Sequence, residues 1–138
     1  MRSIDLHSII DVRRAISPQA VADDTPLVSA VIDRQGFEAL EFVISTGTLS
    51  DADATFTALV EEGDVATLTD AAAVSDGDLL GSEAAASFDH GDGDSVFKIG
   101  YRGYKRYVRL TITPSGNTAS ALISAIAVLG GPRLAPIA

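Results

Sequence analysis

The clearest secondary-structure signal in the chain is the stretch Tyr107-Val108-Arg109-Leu110-Thr111-Ile112-Thr113. Aliphatic residues occupy every second position, which is the period of a β-strand with one buried face. The turn-forming sequence Pro114-Ser115-Gly116-Asn117 follows, and residues 120–129 form a second apolar run. We predict that the two runs pair as a hairpin. Because the second run is apolar on both faces, it is either a central strand between two layers or a strand whose outer face meets another subunit.

Other parts of the chain predict strands of the same kind. Residues 28–32, 37–44, 54–62 and 96–101 are short runs rich in apolar, Thr and aromatic residues, and Gly, Asp, Asn and Pro separate the runs. About six strands at this spacing predict an all-β domain, with a single β-sandwich or jelly-roll-like fold.

The domain boundaries follow from composition. A chain of 138 residues fits one domain with a core of its own. We predict a partly extended N-terminal arm at residues 1–26, a β-sandwich domain at residues 27–130 and a proline-broken tail at residues 131–138. Both ends are expected to become ordered on a partner. Within the domain, the alanine-rich residues 79–88 predict one short helix.

Charge is divided unevenly along the chain. Every acidic residue lies at or before Asp94, no Lys or Arg lies between Gln35 and Phe97, and six of the ten basic residues follow Asp94. The formal net charge of -9 therefore conceals an acidic middle and a basic C-terminal third. Such a division suits a protein that binds other proteins, or its own copies, by complementary charge.

The sequence offers little for catalysis or cofactor binding. It has no cysteine, which excludes disulfides and thiolate chemistry, and its two histidines, His7 and His90, lie in no recognisable catalytic motif. No glycine-rich phosphate loop or other cofactor motif is present. The polar N-terminus and the short apolar runs argue against a signal peptide or a membrane span. We therefore expect a soluble, non-enzymatic protein that is made in the cytoplasm and does not bind membranes.

The run Asp89-His90-Gly91-Asp92-Gly93-Asp94 is a candidate metal site. Three carboxylates, Asp89, Asp92 and Asp94, lie within six residues and have glycines between them, so they can wrap a hard cation such as Ca²⁺. The run lacks the closing Glu of an EF-hand. The same composition is typical of a solvated acidic loop between strands, and both interpretations stay open.

A basic and aromatic segment lies between residues 98 and 109. Its candidate contact residues are Tyr101, Arg102, Tyr104, Lys105, Arg106 and Arg109. Such a mixture can bind nucleic acid, but a domain with nineteen carboxylates repels a polyanion, so we expect no direct nucleic-acid contact. Two interpretations remain. The tyrosines pack in the sandwich while the basic residues pair with the acidic middle, or the segment is a protein interface, since Arg and Tyr often anchor such contacts.

Four motifs, distributed over nearly the whole chain, point to a known family. They are RRAISPQ at residues 13–19, DRQGFE at residues 33–38, IGYRGYKRYVR at residues 99–109 and AVLGGPR at residues 127–133. Together they resemble a family of small virion structural proteins of tailed phages and prophages. This resemblance implies no catalytic residues. It implies a role in capsid decoration (cement) or in the connection between head and tail.

Of these two roles we favour decoration. The resemblance then implies a protein on the outside of the mature capsid, assembled in the host cytoplasm, that binds the major capsid protein. It also implies self-association as a homotrimer at three-fold or quasi-three-fold lattice positions. Two alternatives remain: a head–tail connector or tail component, and a sugar- or calcium-binding adhesion module.

The expected contacts lie in two parts of the chain. The first is the basic and aromatic segment together with Arg133. The second is the N-terminal arm, which would drape over an adjacent subunit or add a strand to it. The arm residues concerned are Val12, Arg13, Arg14, Ala15 and Ile16.

Overall fold

The computed structural model of the protein describes residues 5–135. These residues form eleven strands, one α-helix and three single-turn 3-10 helices. The strands are β1 (Ile10–Val21), β2 (Leu27–Val28), β3 (Ile32–Asp33), β4 (Phe37–Leu49), β5 (Thr55–Gly63), β6 (Ala72–Ala73), β7 (Leu79–Leu80), β8 (Phe88–Asp89), β9 (Val96–Tyr101), β10 (Tyr107–Ser115) and β11 (Ala121–Pro132). The helix α1 is Glu83–Ala86, and the 3-10 turns are His7–Ile9, Asp76–Asp78 and His90–Asp92. Strands take up 54% of the chain and helical residues 10%, which confirms the predicted all-β class.

Two antiparallel sheets pack against each other. The five-stranded sheet has the order β1-β11-β4-β9-β7. The six-stranded sheet has the order β2-β10-β5-β6, with β3 paired to β10 and β8 paired to β5. The predicted β-sandwich is therefore confirmed.

The core lies between the sheets and is filled by alternate residues of the long strands. Phe42 from β4 and Leu110 from β10 are fully buried, as the period-two pattern predicts. Phe88 stacks between Phe56 and Phe97, with ring centroids 5.0 and 5.5 Å away. Burial of each aliphatic or aromatic side chain of this size contributes about 1.5–3 kcal/mol. Side chains on the opposite side of each strand are not needed for this core.

The predicted hairpin between β10 and β11 does not form. β10 pairs with β5, β2 and β3, whereas β11 pairs with β1 and β4 in the other sheet. The turn that joins them is anchored by Asn117, whose backbone N–H donates to Asp24 (2.8 Å) and whose side-chain amide donates to the carbonyls of Val21 and Asp23 (both 3.1 Å). These contacts direct the chain across the edge of the sandwich. Each apolar run then faces the core from its own sheet.

The predicted strand at residues 28–32 is split into β2 and β3, both of which pair with β10. Ser29 lies between them. Its N–H donates to the carbonyl of Leu110 (2.8 Å), and its hydroxyl accepts the N–H of Leu110 (2.9 Å). A side-chain oxygen therefore takes the place of a backbone acceptor, which interrupts the ladder without leaving a buried N–H unpaired.

The predicted helix at residues 79–88 is reduced to one turn. Leu79 and Leu80 pair with β9 instead, and Gly81 has a φ of +84°, a conformation that glycine adopts without strain. Ser82 then caps α1, because its hydroxyl accepts the N–H of Ala85 (3.0 Å). Within residues 5–135, no helix has the length and apolar character that crossing a membrane requires.

The ends of the chain differ from the predicted arm and tail. Residues 10–21 form β1, which pairs with β11 and contributes the buried Ala15, Ile16 and Val21 to the sandwich. The boundary at residue 26 therefore does not separate an arm from the domain, because the apolar residues of this segment have a place in the core. At the other end β11 continues to Pro132, and residues 1–4 and 136–138 lie outside the described part of the chain.

Candidate functional site

The loop between β9 and β10, residues 102–106, carries Arg102, Lys105 and Arg106. We call it the basic loop. Tyr101 lies at its base and is almost fully buried. The Tyr101 hydroxyl donates to a carboxylate oxygen of Glu62 at 2.5 Å and accepts the N–H of Lys105 at 3.0 Å. Burial, together with the hydrogen bond to Glu62, raises the pKa of Tyr101 well above its ordinary value of 10.0. The neutral Tyr101 hydroxyl therefore joins the Glu62 carboxylate to the backbone of Lys105 and holds the loop closed.

Arg34 holds the basic loop from the other side. Its Nε donates to the carbonyl of Lys105 (2.9 Å), and its Nη2 donates to the carbonyl of Gly103 (3.1 Å). The guanidinium also lies over the ring of Tyr101, 4.9 Å from the centroid. Gly103 packs so closely on that ring that a Cβ would overlap it. The loop is thus held in one conformation by a buried tyrosine, a glycine contact and an arginine.

The basic loop presents two arginines and a tyrosine to solvent. Tyr104 is 96% exposed, the most exposed large apolar or aromatic side chain of the described residues. Arg102 is exposed, and its Nε donates to the carbonyl of Gly77 (3.2 Å). Arg106 forms a two-pronged ion pair with Asp33 (2.8 and 2.9 Å). An exposed aromatic ring between arginines, on a loop that is already ordered, is a suitable anchor for a protein contact.

A cleft of about 370 Å³ opens beside the basic loop. The basic side chains that line it come from three separate parts of the chain: Arg34, Arg102, Arg106 and Arg133. Glu38 also lines the cleft and pairs with Arg133 (3.2 Å). The hydrogen bond from Arg106 lowers the pKa of Asp33, so this carboxylate stays ionised beside the cleft. Guanidinium N–H groups that remain free here can bind carboxylates of a partner.

The predicted basic and aromatic segment is therefore divided by the structure. Arg102, Tyr104 and Arg106 lie together with Arg133 at the cleft. Tyr101 is in the core, so its predicted place in a contact surface is wrong, and its packing in the sandwich agrees with the other interpretation of the segment.

Two other basic residues of the segment, Lys105 and Arg109, pair with the acidic middle of the chain. Lys105 pairs with Asp64 (2.7 Å), and Arg109 pairs with Glu61 (3.1 Å) across the ladder between β10 and β5. Neither side chain lines the cleft. The alternating pattern of β10 places Arg109 on a strand face and not on the loop, which explains the separation.

Sequence analysis missed Arg34 as a positioning residue. Its signal was the motif at residues 33–38, which was noted only as part of a family resemblance. Gly36 in this motif has a φ of +91°, and the resulting turn brings Arg34 under the basic loop. Contacts separated by 71 residues cannot be deduced from spacing.

The predicted N-terminal contact residues lie on both sides of β1. Val12 and Arg14 point outward and are exposed, whereas Ala15 and Ile16 are buried and cannot contact an adjacent subunit. Arg13 is half-buried. It pairs with Asp11 (3.0 Å), donates to the carbonyl of Asp33 (2.6 Å) and lies over the ring of Phe37.

Two of the three candidate metal ligands, Asp89 and Asp92, form side-chain hydrogen bonds within the chain. The N–H of Asp89 donates to a carboxylate oxygen of Asp92 (3.0 Å), and the carboxylate of Asp89 accepts the N–H of Gly91 (2.9 Å). These reciprocal bonds cap the 3-10 turn His90–Asp92. In the described part of the chain, no group of three or more His, Cys, Asp or Glu side chains is placed to hold a metal ion. The structure thus shows this run as a hydrogen-bonded turn between β8 and β9.

Comparisons with known proteins bear on the fold alone. No family model matches this chain, and no curated protein is similar to it at a significant level. Among solved structures, the chain is similar to the phage-related protein described as "PBSX exported protein XepA", with a TM-score of 0.60 and 12% identity over 96% of this chain. The chain spans 40% of the length of that protein.

Two further solved structures align more loosely. One contains the CBM22-1 and GH10 modules of xylanase 10B from Clostridium thermocellum (TM-score 0.44, 12% identity, 98% of this chain and 30% of that one). The other is a family two carbohydrate esterase from Cellvibrio japonicus (TM-score 0.36, 9% identity, 95% of this chain and 33% of that one). Of these three similarities, the one to XepA has a TM-score above 0.5, and it shows a shared β-sandwich fold.

Proposed function

We propose that this protein is a non-enzymatic structural component of a tailed-phage virion that binds the outside of the mature capsid as a decoration protein. The observation that carries the proposal is the basic loop, which presents Tyr104 and two arginines in a fixed conformation beside a basic cleft. The shared fold with a phage-related protein supports the virion context, as does the sequence resemblance.

The physical basis is selective binding to one state of the shell. A protein that contacts neighbouring capsid subunits in the expanded lattice binds that lattice better than the immature one, and so stabilises it by mass action. Many copies on one shell add up to a large stabilisation even when each contact is modest. The basic loop is suited to an acidic patch of the major capsid protein, since most of the remaining surface of this chain is acidic.

The proposal is tested by co-sedimentation with heads of the phage that encodes the chain. We expect saturable binding to empty mature heads and much weaker binding to immature heads. Tyr104→Ala should weaken head binding by about 30-fold or more, the effect of an anchor residue that contributes about 2 kcal/mol. Arg102→Ala should weaken it less, because an exposed charge contributes less than a desolvated aromatic ring.

Lys105→Ala is the matched control for Arg102→Ala. Both changes remove one positive charge from the same loop, but Lys105 points toward Asp64 and not into the cleft. Head binding should be unchanged in this variant. Equal losses for both variants would mean that overall charge, and not the cleft, governs binding. Binding to the portal or tail in place of the shell would replace decoration with a connector role, and binding to host glycans would favour an adhesion module.

A further inference from the structure

The outer face of the five-stranded sheet is uncovered although it is largely apolar; we call it the apolar face. Its exposed or half-buried aliphatic side chains come from five strands and include Val12, Val43, Leu80, Val96, Leu122, Ile126 and Val128. Leu80 and Val96 are 50% and 67% exposed. Contiguous exposure of this kind on a folded domain marks a binding surface, whereas scattered single residues do not.

The strand register makes these residues contiguous. One row across the sheet reads Arg14, Ile126, Val43 and Lys98, and each residue is directly paired with the next. Apolar centres in this row are thus flanked by a cation on each side.

The neighbouring row carries a negative charge, from Glu41, near its middle. It reads Val12, Val128, Glu41 and Gly100, again by direct pairing. Gly100 adds no side chain, so Glu41 and Leu80 close over its backbone. The face therefore carries two basic and one acidic side chain within a field of aliphatic and small residues.

Among residues 5–135, none of these three charged side chains forms an ion pair. Five basic residues elsewhere form ion pairs, but among residues 5–135 neither Arg14 nor Lys98 has a carboxylate within ion-pair distance. Burial raises the pKa of Glu41, and Lys98 offsets this only in part. A second copy turned about a two-fold axis would supply what each group lacks, because such an interface places the same patch against itself and pairs residues reciprocally.

The size of the face is sufficient for a stable pair. Strands β1, β11 and β4 overlap for about ten residues, and β9 adds six paired residues. At about 4.8 Å between strands and about 3.4 Å per residue, this gives a surface of roughly 600 Å². Two copies would therefore bury roughly 1,200 Å² in total, at the lower end of the range for specific protein interfaces.

Net charge favours a copy of this chain on this face over an approach through the acidic surfaces of two copies. The formal net charge is -9, and almost none of it lies on the apolar face. Copies that bring two acidic surfaces together repel each other. Pairing along the edge of the sheet is also opposed, since the edge strand β1 contains Pro18 and two register irregularities.

We propose that two copies of this protein associate through the apolar face about a two-fold axis, with Glu41 of each copy paired with Arg14 or Lys98 of the other. This inference does not rest on the proposed function. It replaces the homotrimer that the sequence resemblance implies, because a self-complementary face joins two copies and leaves no equivalent face for a third.

The test is light scattering on the purified full chain over a concentration series. We expect twice the chain mass of 14.3 kDa. Val12→Lys should weaken association by about a hundredfold or more, because it buries an unpaired charge at the interface. The matched control is Val28→Lys on the six-stranded sheet, since Val12 and Val28 are 58% and 56% exposed. This control should leave the dimer intact.

A charge swap tests the reciprocal pairing. Glu41→Lys should dissociate the dimer, and the triple variant Glu41→Lys, Arg14→Glu, Lys98→Glu should restore it. Circular dichroism and the melting temperature show whether each monomeric variant is still folded. A monomeric wild type, a trimer, or a dimer that tolerates both Val12→Lys and Glu41→Lys would overturn the proposal. Head co-sedimentation of the Val12→Lys variant separates this outcome from failure of the decoration role, which depends on Tyr104.

Discussion

The two outer faces of the sandwich differ in whether their side chains have polar partners within the described residues. On the six-stranded sheet, Thr57 lies opposite Thr113, and Arg109 pairs with Glu61; we call this the polar face. On the apolar face, aliphatic side chains are exposed, and nearby charges such as Glu41 have no ion pair among the described residues. Both sheets pack on the same core, so core packing does not explain why one outer face is polar and the other is apolar. Burial in the core accounts for the apolar inner faces, and the dimer proposed above would cover the apolar outer face.

The largest expected effect is a difference in the free energy of unfolding between substitutions on the inner and outer sides of β11. Ile123 is 2% exposed and its neighbour Leu122 is 43% exposed. Ile123→Lys should lower the free energy of unfolding by more than about 4 kcal/mol, since a charge would be buried without a partner. Leu122→Lys should change it by less than about 1 kcal/mol. Urea denaturation of both variants, at a concentration too low for association, measures the difference. Equal destabilisation would show that the apolar face is already part of a core.

A smaller effect should separate charges on the two outer faces. Arg109→Ala leaves the half-buried Glu61 carboxylate without its partner and should lower the free energy of unfolding by about 1–2 kcal/mol. Lys98→Ala removes a charge that has no ion pair among residues 5–135, and should change it by less than about 0.5 kcal/mol. Denaturation at a concentration too low for association gives both values. A larger loss of stability for Lys98→Ala than for Arg109→Ala would contradict this prediction.

The smallest effect should appear in the pH dependence of two carboxylates. The folded pKa of Asp33 lies below its ordinary value of 3.8, mainly through its hydrogen bond with Arg106. Its stabilising contribution is therefore present above that value and is lost as pH falls through the folded pKa. Burial raises the pKa of Glu41 above 4.5, so its contribution is present below that value and is lost as pH rises through the folded pKa.

Two amide variants check these opposite signs. At neutral pH, Asp33→Asn should lower the free energy of unfolding and Glu41→Gln should raise it slightly. The Asp33 difference should shrink as the pH falls below 3.8, whereas the Glu41 difference should already shrink as the pH falls toward 4.5. Unfolding curves of dilute protein across the acidic range measure this. A Glu41→Gln variant that is less stable than wild type at neutral pH would mean that Glu41 has a partner within the chain.

Local sequence patterns predicted the strands well but not their partners. The alternation in residues 107–113 predicted β10, and its buried side chains are the expected ones. The following apolar run was expected to pair with it, yet β11 lies in the other sheet. Period-two patterns report which side of a strand is buried, and a turn of a few residues is compatible with either a hairpin or a crossing between sheets.

The candidate site was predictable only in part for the same reason. Composition indicated that residues 98–109 are basic and aromatic, but it could not tell the buried Tyr101 from the exposed Tyr104. Alternation along a strand ends where the loop begins, so burial within a loop depends on distant residues. Arg34 and Glu62 provide the contacts here.

The amino-acid sequence by itself determined the all-β class, the positions of the long strands after residue 36 and the separation of charge along the chain. These properties depend on local periodicity and composition. Only the tertiary structure decided which apolar side chains remain exposed, which charges are paired and how the basic loop is held. These depend on sheet order and on contacts between residues far apart in sequence. Several pairings bury the same alternating residues, and the sheet order decides that Arg14 and Val43 lie beside Ile126 on the outer face.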